Sequence, residues 1–261
     1  MTELHTLASG SSGNAALLSR NGAHILLDAG ISCRRITKAL GELGLTPAQL
    51  SGIFITHCHT DHTSGLGTIV KHWDVPIYAS RATCSQLEYR IAGIGKKLCP
   101  LAIGSSMTRD TFTVTAFPTA HDAPGSCGYR VDDIGFLTDT GYVTDEATET
   151  LTGVPLLVLE ANHDVETLRS GPYPYYLKQR ILGNEGHLSN EAAGQFARHA
   201  AENGTREILL AHLSRENNTP VMAHDAVARA LAVLDTPPAL SVAPRDETSR
   251  RFYTEEAICR K

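Results

Sequence analysis

A short apolar run, Ile53-Phe54-Ile55-Thr56, leads straight into His57-Cys58-His59-Thr60-Asp61-His62, so three imidazoles and a carboxylate fall within six residues. Neutral imidazole and carboxylate are the donors that borderline divalent ions prefer: Zn²⁺ first, with Mn²⁺ and Fe²⁺ also compatible. In an extended segment alternate residues share a side. His57 and His59 can then grip one ion while Cys58 points away, and Asp61 and His62 turn toward a second. The chain has 12 histidines in 261 residues, and a chance cluster on a polar loop is the weaker explanation of four donors at this spacing.

The rest of the chain is organised around that segment. Leu4-Leu7, Ala15-Ser19 and His24-Asp28 read as a small meander, the last two joined by Asn21-Gly22, a dipeptide suited to a hairpin turn. Ser32 is an N-cap candidate for a helix carrying Ile36, Leu40 and Leu43 and closed by Gly44. Helices are expected at Leu66-His72 and Ala82-Ile91, with a strand at Ile77-Ala79 between them. From Ser105 to Thr138 the chain is strand-like, with Phe112-Phe117, Gly128-Val131 and Ile134-Thr138. Leu156-Glu160 and Ile208-Ala211 read as further strands. Helices follow at Glu191-Asn203, capped by Ser189 or Asn190, and at His224-Leu234. This order suits two packed mixed sheets with helices on the outer sides, in one domain spanning 1–261, with strand-end loops from both halves meeting at one edge.

Composition narrows the classes. With 42% hydrophobic and 20% charged residues, the chain can bury a substantial core. No apolar run approaches the ~20 residues that span a bilayer, and the first residues lack a signal-peptide layout, so a soluble cytoplasmic protein is expected, without a membrane partner. The six cysteines, at 33, 58, 84, 99, 127 and 259, form no Cys-x-x-Cys pair and read as free thiols of a reducing compartment. A net charge of −5 argues against a globally basic nucleic-acid binder. A local groove from Arg34-Arg35, Lys96-Lys97, Lys178/Arg180 and Arg215 stays open, although solvated surface charge is the commoner role of such pairs.

Three more segments place metal-type residues just after strands: Thr119-Ala120-His121, Leu137-Thr138-Asp139-Thr140-Gly141 and Leu210-Ala211-His212-Leu213-Ser214. Taken singly, His121 reads as a surface histidine, Asp139 as the start of a turn and His212 as a buried histidine. Taken with the cluster at 57–62 and in this order, they make the chain resemble the metallo-β-lactamase-fold hydrolases over nearly its whole length. The resemblance implies a four-layer αββα sandwich. It also implies that His57, His59 and His121 hold one ion, that Asp61, His62 and His212 hold another, and that Asp139 bridges the two.

The resemblance narrows through Leu7-Ala8-Ser9-Gly10-Ser11-Ser12-Gly13-Asn14, Leu159-Glu160-Ala161-Asn162-His163-Asp164, Gly186-His187-Leu188-Ser189-Asn190 and His212-Leu213-Ser214-Arg215-Glu216-Asn217-Asn218. These segments are similar to the YycJ/VicX (WalJ) subgroup, related to ribonuclease Z-type phosphodiesterases. The implied activity is 5′-to-3′ DNA exonuclease. Leu4-His5-Thr6 stand where the subgroup has a leading Phe, a minor departure. By the same resemblance His187 would contact the scissile phosphate or the leaving oxygen. His163 takes either a site role or a packing place beside Asp139. The loop with Ser11, Ser12 and Asn14 is rich in donors that could face phosphate, and it serves equally as a plain solvent loop; Arg215 is a second phosphate candidate. His5, His24, His72, His199 and His224 lack such context and read as structural.

Two ions lower the pKa of a shared water from ~15.7 toward ~7, so a bridging hydroxide can exist at neutral pH. Asp61 can orient it and His187 can stabilise the departing oxygen. Two other readings compete. One is a metallo-hydrolase of a small substrate such as a cyclic phosphodiester, thioester or lactam; the other is a metal-binding regulatory protein with little turnover. Fold alone does not choose among them. No added nucleic-acid domain is visible in the sequence, so end recognition would come from loops or from a second subunit of a homo-oligomer.

Overall fold

The structure, a computed structural model, describes residues 1–254; Cys259, expected as a free thiol, lies outside the described residues. The first half opens with a meander of β1 (Glu3–Ala8), β2 (Ala15–Arg20) and β3 (Ala23–Leu27). The β2–β3 turn is Asn21-Gly22 with φ of 49° and 79°, the left-handed pair that a two-residue hairpin of matching twist requires. Helix α1 (Cys33–Glu42) starts on Ser32, whose Oγ accepts the Arg35 N–H, and α1 leads to β4 (Leu50–Phe54). The cluster follows at once, with α2 (Thr60–Thr63), α3 (Leu66–His72), β5 (Ile77–Ser80), α4 (Arg81–Arg90) and β6 (Leu98–Leu101) completing the half.

The second half repeats the scheme. Strands β7 (Ser106–Arg109), β8 (Phe112–Pro118), β9 (Cys127–Val131) and β10 (Ile134–Leu137) run antiparallel. Helix α5 (Asp145–Leu151) then leads to β11 (Leu156–Glu160), and α6 (Val165–Ser170), α7 (Tyr175–Leu182) and α8 (Asn190–Glu202) lead to β12 (Glu207–Ala211). Helix α9 (Pro220–Leu231) precedes β13 (Ala239–Val242), and β14 (Phe252–Tyr253) closes the described chain. The result is two mixed seven-stranded sheets, β14-β1-β2-β3-β4-β5-β6 and β13-β12-β11-β10-β9-β8-β7, each turning from antiparallel to parallel pairing as helical crossovers begin.

Three apolar layers separate four structural layers. Leu18, Ile25, Phe54 and Tyr78 of the first sheet meet Phe112, Tyr129, Phe136 and Val158 of the second. Ile36 and Leu40 of α1 and Leu66 and Ile69 of α3 cover the outer face of the first sheet, while Ala147 of α5, Phe196 of α8 and Val227 of α9 cover that of the second. The expected αββα sandwich is the observed fold. Phe54 stacks on Tyr78 at 4.7 Å and meets Tyr129 edge-on at 5.9 Å; burying such a ring contributes about 2–3 kcal/mol. Tyr129 is fully buried and donates its hydroxyl to the Ile55 carbonyl at 2.8 Å, and the Cys127 N–H reaches the Thr56 carbonyl at 3.1 Å. The two sheets are thus tied at the residue that precedes His57.

Strand and helix expectations hold with small shifts, and one boundary moves. The last long helix begins at Pro220 and ends at Leu231, where apolar spacing pointed to 224–234. Thr219 accepts the Met222 N–H and Pro220 supplies a preset first turn, so the cap decides the start. Among the described residues no helix is long and apolar enough to cross a membrane.

Candidate metal centre

The site grows out of how the chain leaves β4. Beyond Phe54 the chain bends at Thr56, Cys58 and His59 rather than continuing extended, yet the His57 and His59 rings still meet, with centroids 4.7 Å apart; His59 is the N-cap of the short α2, whose turn carries Asp61 and His62 into the second group. Close approach makes this turn possible. A Cβ at Gly30 would lie 1.5 Å from the Asp61 carbonyl oxygen, so only glycine lets the two segments pass. The second half brings His121 after β8, Asp139 after β10 and His212 after β12. Asp139 and His212 stand in the left-handed region, with φ of 57° and 56°, as does Asp28 at the end of β3 with φ of 58°.

Two donor groups result. His57, His59 and His121 form one, and Asp61, His62, Asp139 and His212 form the other, with donor atoms within 4.8 Å of one another in each. The seven residues singled out in the sequence are all brought together. Hydrogen bonds fix which nitrogen each ring offers. His121 Nδ1 faces the Gly186 carbonyl at 3.0 Å, which turns Nε2 inward to within 3.2 Å of His59 Nδ1. His62 Nδ1 is 2.7 Å from Asp28 Oδ2, leaving Nε2 3.2 Å from Asp139 Oδ2 and 3.4 Å from Asp61 Oδ2. His212 Nδ1 is 2.7 Å from Glu160 Oε1, leaving Nε2 3.3 Å from Asp61 Oδ2.

The donor set fits divalent ions on two observations. His57 Nε2 is buried without a hydrogen-bond partner, a costly state that a bound cation would remove. Charge agrees. Burial, helped by the neighbouring His62, holds the His57 ring well below the usual histidine range, in the neutral form that binds metal. For Asp139 burial alone would favour the protonated acid, but His212, His62 and His57 hold the carboxyl well below its usual range. For His212 burial opposes the charge, and Asp139, Asp61 and Glu160 together raise the ring to about 10. The rings among Asp61, His62, Asp139 and His212 would give up their protons on holding an ion.

Asp28 and Glu160 are the residues that the sequence did not reveal. Asp28 Oδ1 accepts from the Thr56 backbone at 2.9 Å while Oδ2 orients His62. Glu160, fully buried at the end of β11, takes His187 Nδ1 at 2.8 Å and His212 Nδ1 at 2.7 Å on Oε1, and the Thr140 and Leu188 backbone N–H groups at 3.1 Å on Oε2. Burial would raise its pKa, but His187 and His212 draw it down to about 2. Asp139, Glu160, His187 and His212 also lie within ligand distance of one another. Because Glu160 Oε1 already accepts from two rings, this third set reads as the hydrogen-bonded surround of the second group.

The other candidate residues divide between surface and interior. Ser11 and Ser12 are exposed on the β1–β2 loop, as is Arg215 on the loop after His212. Asn14 is buried; its amide bonds the Gly10 carbonyl at 3.1 Å and lies 3.1 Å from His62 Nε2. Ser9 Oγ accepts the His212 N–H at 2.9 Å, so the two loops meet beside the second group. His163 is buried with neither ring nitrogen paired. Burial lowers its pKa to about 4, outweighing the opposing pull of Glu160.

A four-layer αββα sandwich with these two His/Asp groups at one edge defines the metallo-β-lactamase class. The chain belongs to this family: the Beta-lactamase superfamily domain matches residues 23–213. Within it, the chain is 39% identical over 238 residues to Exodeoxyribonuclease WalJ of Streptococcus pneumoniae, covering 88% of each chain. It is also 36% identical over 231 residues to Exodeoxyribonuclease YycJ of Bacillus anthracis, covering 86% of this chain and 87% of the other. Among solved structures, Zn(2+)-bound PqqB from Methylobacterium extorquens has the same fold, with a TM-score of 0.71 at 16% identity over 95% of this chain and 99% of that one.

Proposed function

We propose that this chain is a binuclear-metal phosphodiesterase that removes nucleotides from DNA ends in the 5′-to-3′ direction. The observation that carries it is the pairing of two His/Asp donor groups with a histidine, His187, held beside them by Glu160 but outside the seven-donor set. Identity to two exodeoxyribonucleases over most of the chain supports DNA as the substrate. The polarity follows the family resemblance read from the sequence. Zn²⁺ and Mn²⁺ suit the imidazole and carboxylate donors best, and Fe²⁺ is also compatible. A DNA substrate, and free cysteines at 33, 58, 84, 99 and 127, suit the cytoplasm.

His57, His59 and His121 would hold one ion and Asp61, His62 and His212 the other, with Asp139 shared. When bound, two such ions activate water at neutral pH and neutralise charge that builds on the phosphate. The protein's own residues do the rest. Asp61 Oδ2, beside His62 and His212, orients the attacking water. Glu160 engages His187 Nδ1 and so leaves Nε2 as the nitrogen that hands a proton to the departing oxygen. Ser11, Ser12 and Arg215, on the two loops that meet at Ser9, contact flanking phosphates, and Asn14 holds its loop against His62.

The test is hydrolysis of 5′- and 3′-end-labelled single- and double-stranded DNA and RNA by metal-defined protein, with bis-p-nitrophenyl phosphate alongside. A 5′ label should appear at once as mononucleotide and a 3′ label only in late, short products. Turnover of the small ester with intact DNA would overturn the reading.

A further inference from the structure

Helix α7 buries none of its own residues, although it belongs to a long excursion between β11 and α8 that returns to the site. A helix with half-buried residues such as Leu177 and Ile181 but none fully buried adds little to the core. Its last turn is anchored at the metal centre: Arg180 Nε bonds Asp122 Oδ2, and the His187 N–H donates to the Ile181 carbonyl at 3.0 Å. Asp122 Oδ1 lies 3.5 Å from His59 Nε2 and 3.6 Å from His121 Nε2. Asp122 thus takes one of the five guanidinium donors and leaves both Nη groups unengaged among the described residues, on a side chain that is 53% exposed.

Tyr176 precedes Arg180 by four residues, one turn back along the same face, and is 74% exposed. Tyr142 is 52% exposed, and the backbone before it presses on the loop that leaves α7: a Cβ at Gly141 would lie 2.3 Å from the Asn184 carbonyl oxygen. A large ring left in water one helical turn from a cation, whose carboxylate partner Asp122 lies beside His59 and His121 of the first donor group, matches the way unpaired nucleic acid is held. Phosphates meet the fork and bases stack on rings.

We infer that the α7 face carrying Tyr176 and Arg180, with Tyr142 following a backbone contact to the loop that leaves α7, is the track for an unpaired DNA strand entering the metal centre. This rests on the nuclease reading above. Arg180 positions a phosphate next to the first donor group, and Tyr176 stacks on the adjoining base. The track reads no sequence, because every base offers a ring face.

The test uses metal-loaded protein and a fluorescent, phosphorothioate-linked single-stranded DNA, which reports binding without being consumed. Tyr176→Ala should weaken binding about tenfold, while Tyr176→Phe, which keeps the ring, binds as the parent does. Arg180→Ala should lower the slope of log affinity against log salt by about 0.7, the loss of one phosphate contact on a single strand. Tyr89→Ala removes a tyrosine that is 91% exposed on α4, and should change nothing. A strand lacking the bases near its 5′ end should bind the parent about tenfold more weakly, and Tyr176→Ala no more weakly than the intact strand does. An equal loss in both proteins, or unchanged binding by Tyr176→Ala, overturns the track even if DNA is hydrolysed. Tight, Tyr176-dependent binding with no hydrolysis of an ordinary strand keeps the track and overturns the nuclease reading; failure to bind overturns both.

Discussion

Glu160 Oε1 accepts hydrogen bonds from two histidines at once, His187 Nδ1 at 2.8 Å and His212 Nδ1 at 2.7 Å. One oxygen thereby sets the tautomer of a metal-ligand candidate and of the candidate acid, and couples their geometry. Glu160→Gln keeps the shape but removes the buried charge that both rings face. Metal affinity at the second group should fall by about 10–100-fold, and kcat should fall further than metal loss explains. Titration of metal-depleted protein beside kcat at saturating metal separates the two effects. A variant with parental affinity and rate would remove Glu160 from the machinery.

His187 and His212 share that oxygen but should respond differently to truncation. His187→Ala should lower kcat by ~10²–10⁴-fold with nearly full metal content, since a proton donor acts in the transition state. His212→Ala should lose an ion. On p-nitrophenyl esters, whose leaving group needs little protonation, the His187→Ala defect should shrink. Equal defects on both substrates would show His187 to be structural or a ligand.

The orphaned His57 Nε2 and the Asp139 carboxylate that faces His62 belong to different halves of the chain. Elemental analysis should therefore find close to two divalent ions per chain, and chelation should lower Tm as well as abolish activity, because the ions tie the sheets' loops together. A stable, active protein with one ion would sink the binuclear reading.

His163 makes stability depend on pH. Its ring titrates near 4 in the folded protein against about 6.5 when unfolded, so it is neutral in the native state. As pH falls through 6.5 the unfolded chain takes up a proton that the native chain refuses. Stability therefore declines from about pH 6.5 down to about 4, below which both states are protonated. Between pH 7.5 and 5 the loss is about 2 kcal/mol. Urea unfolding of metal-loaded His163→Leu should show a pH dependence weaker by that amount; an unchanged dependence would mean that the ring is charged or solvated.

The sequence exposed what is local and hid what is assembled. His57 to His62 stand out because four donors are neighbours in the chain, and Phe112-Phe117 and Leu156-Glu160 because buried strands are continuously apolar. His121, Asp139 and His212 were legible only as an ordered series. Asp28 and Glu160 look like ordinary strand-end carboxylates, because their partners His62, His187 and His212 lie far along the chain. Strands β6, β13 and β14 are short edges with little apolar contrast, and α6 and α7 lack a buried stripe, so periodicity had nothing to register. Asn14 reads as a polar loop residue, and only folding turns its amide toward His62.

The left-handed backbone at Asp28, Asp139 and His212 sets heat resistance against activity. Each is a conformation in which an L side chain is disfavoured by about 1–2 kcal/mol and glycine is not. A library of this chain screened only for thermal survival, with metal withheld, should therefore accept glycine or asparagine at positions where a screen for turnover tolerates neither. The two screens would diverge most sharply at the three residues that leave their strands with the wrong hand.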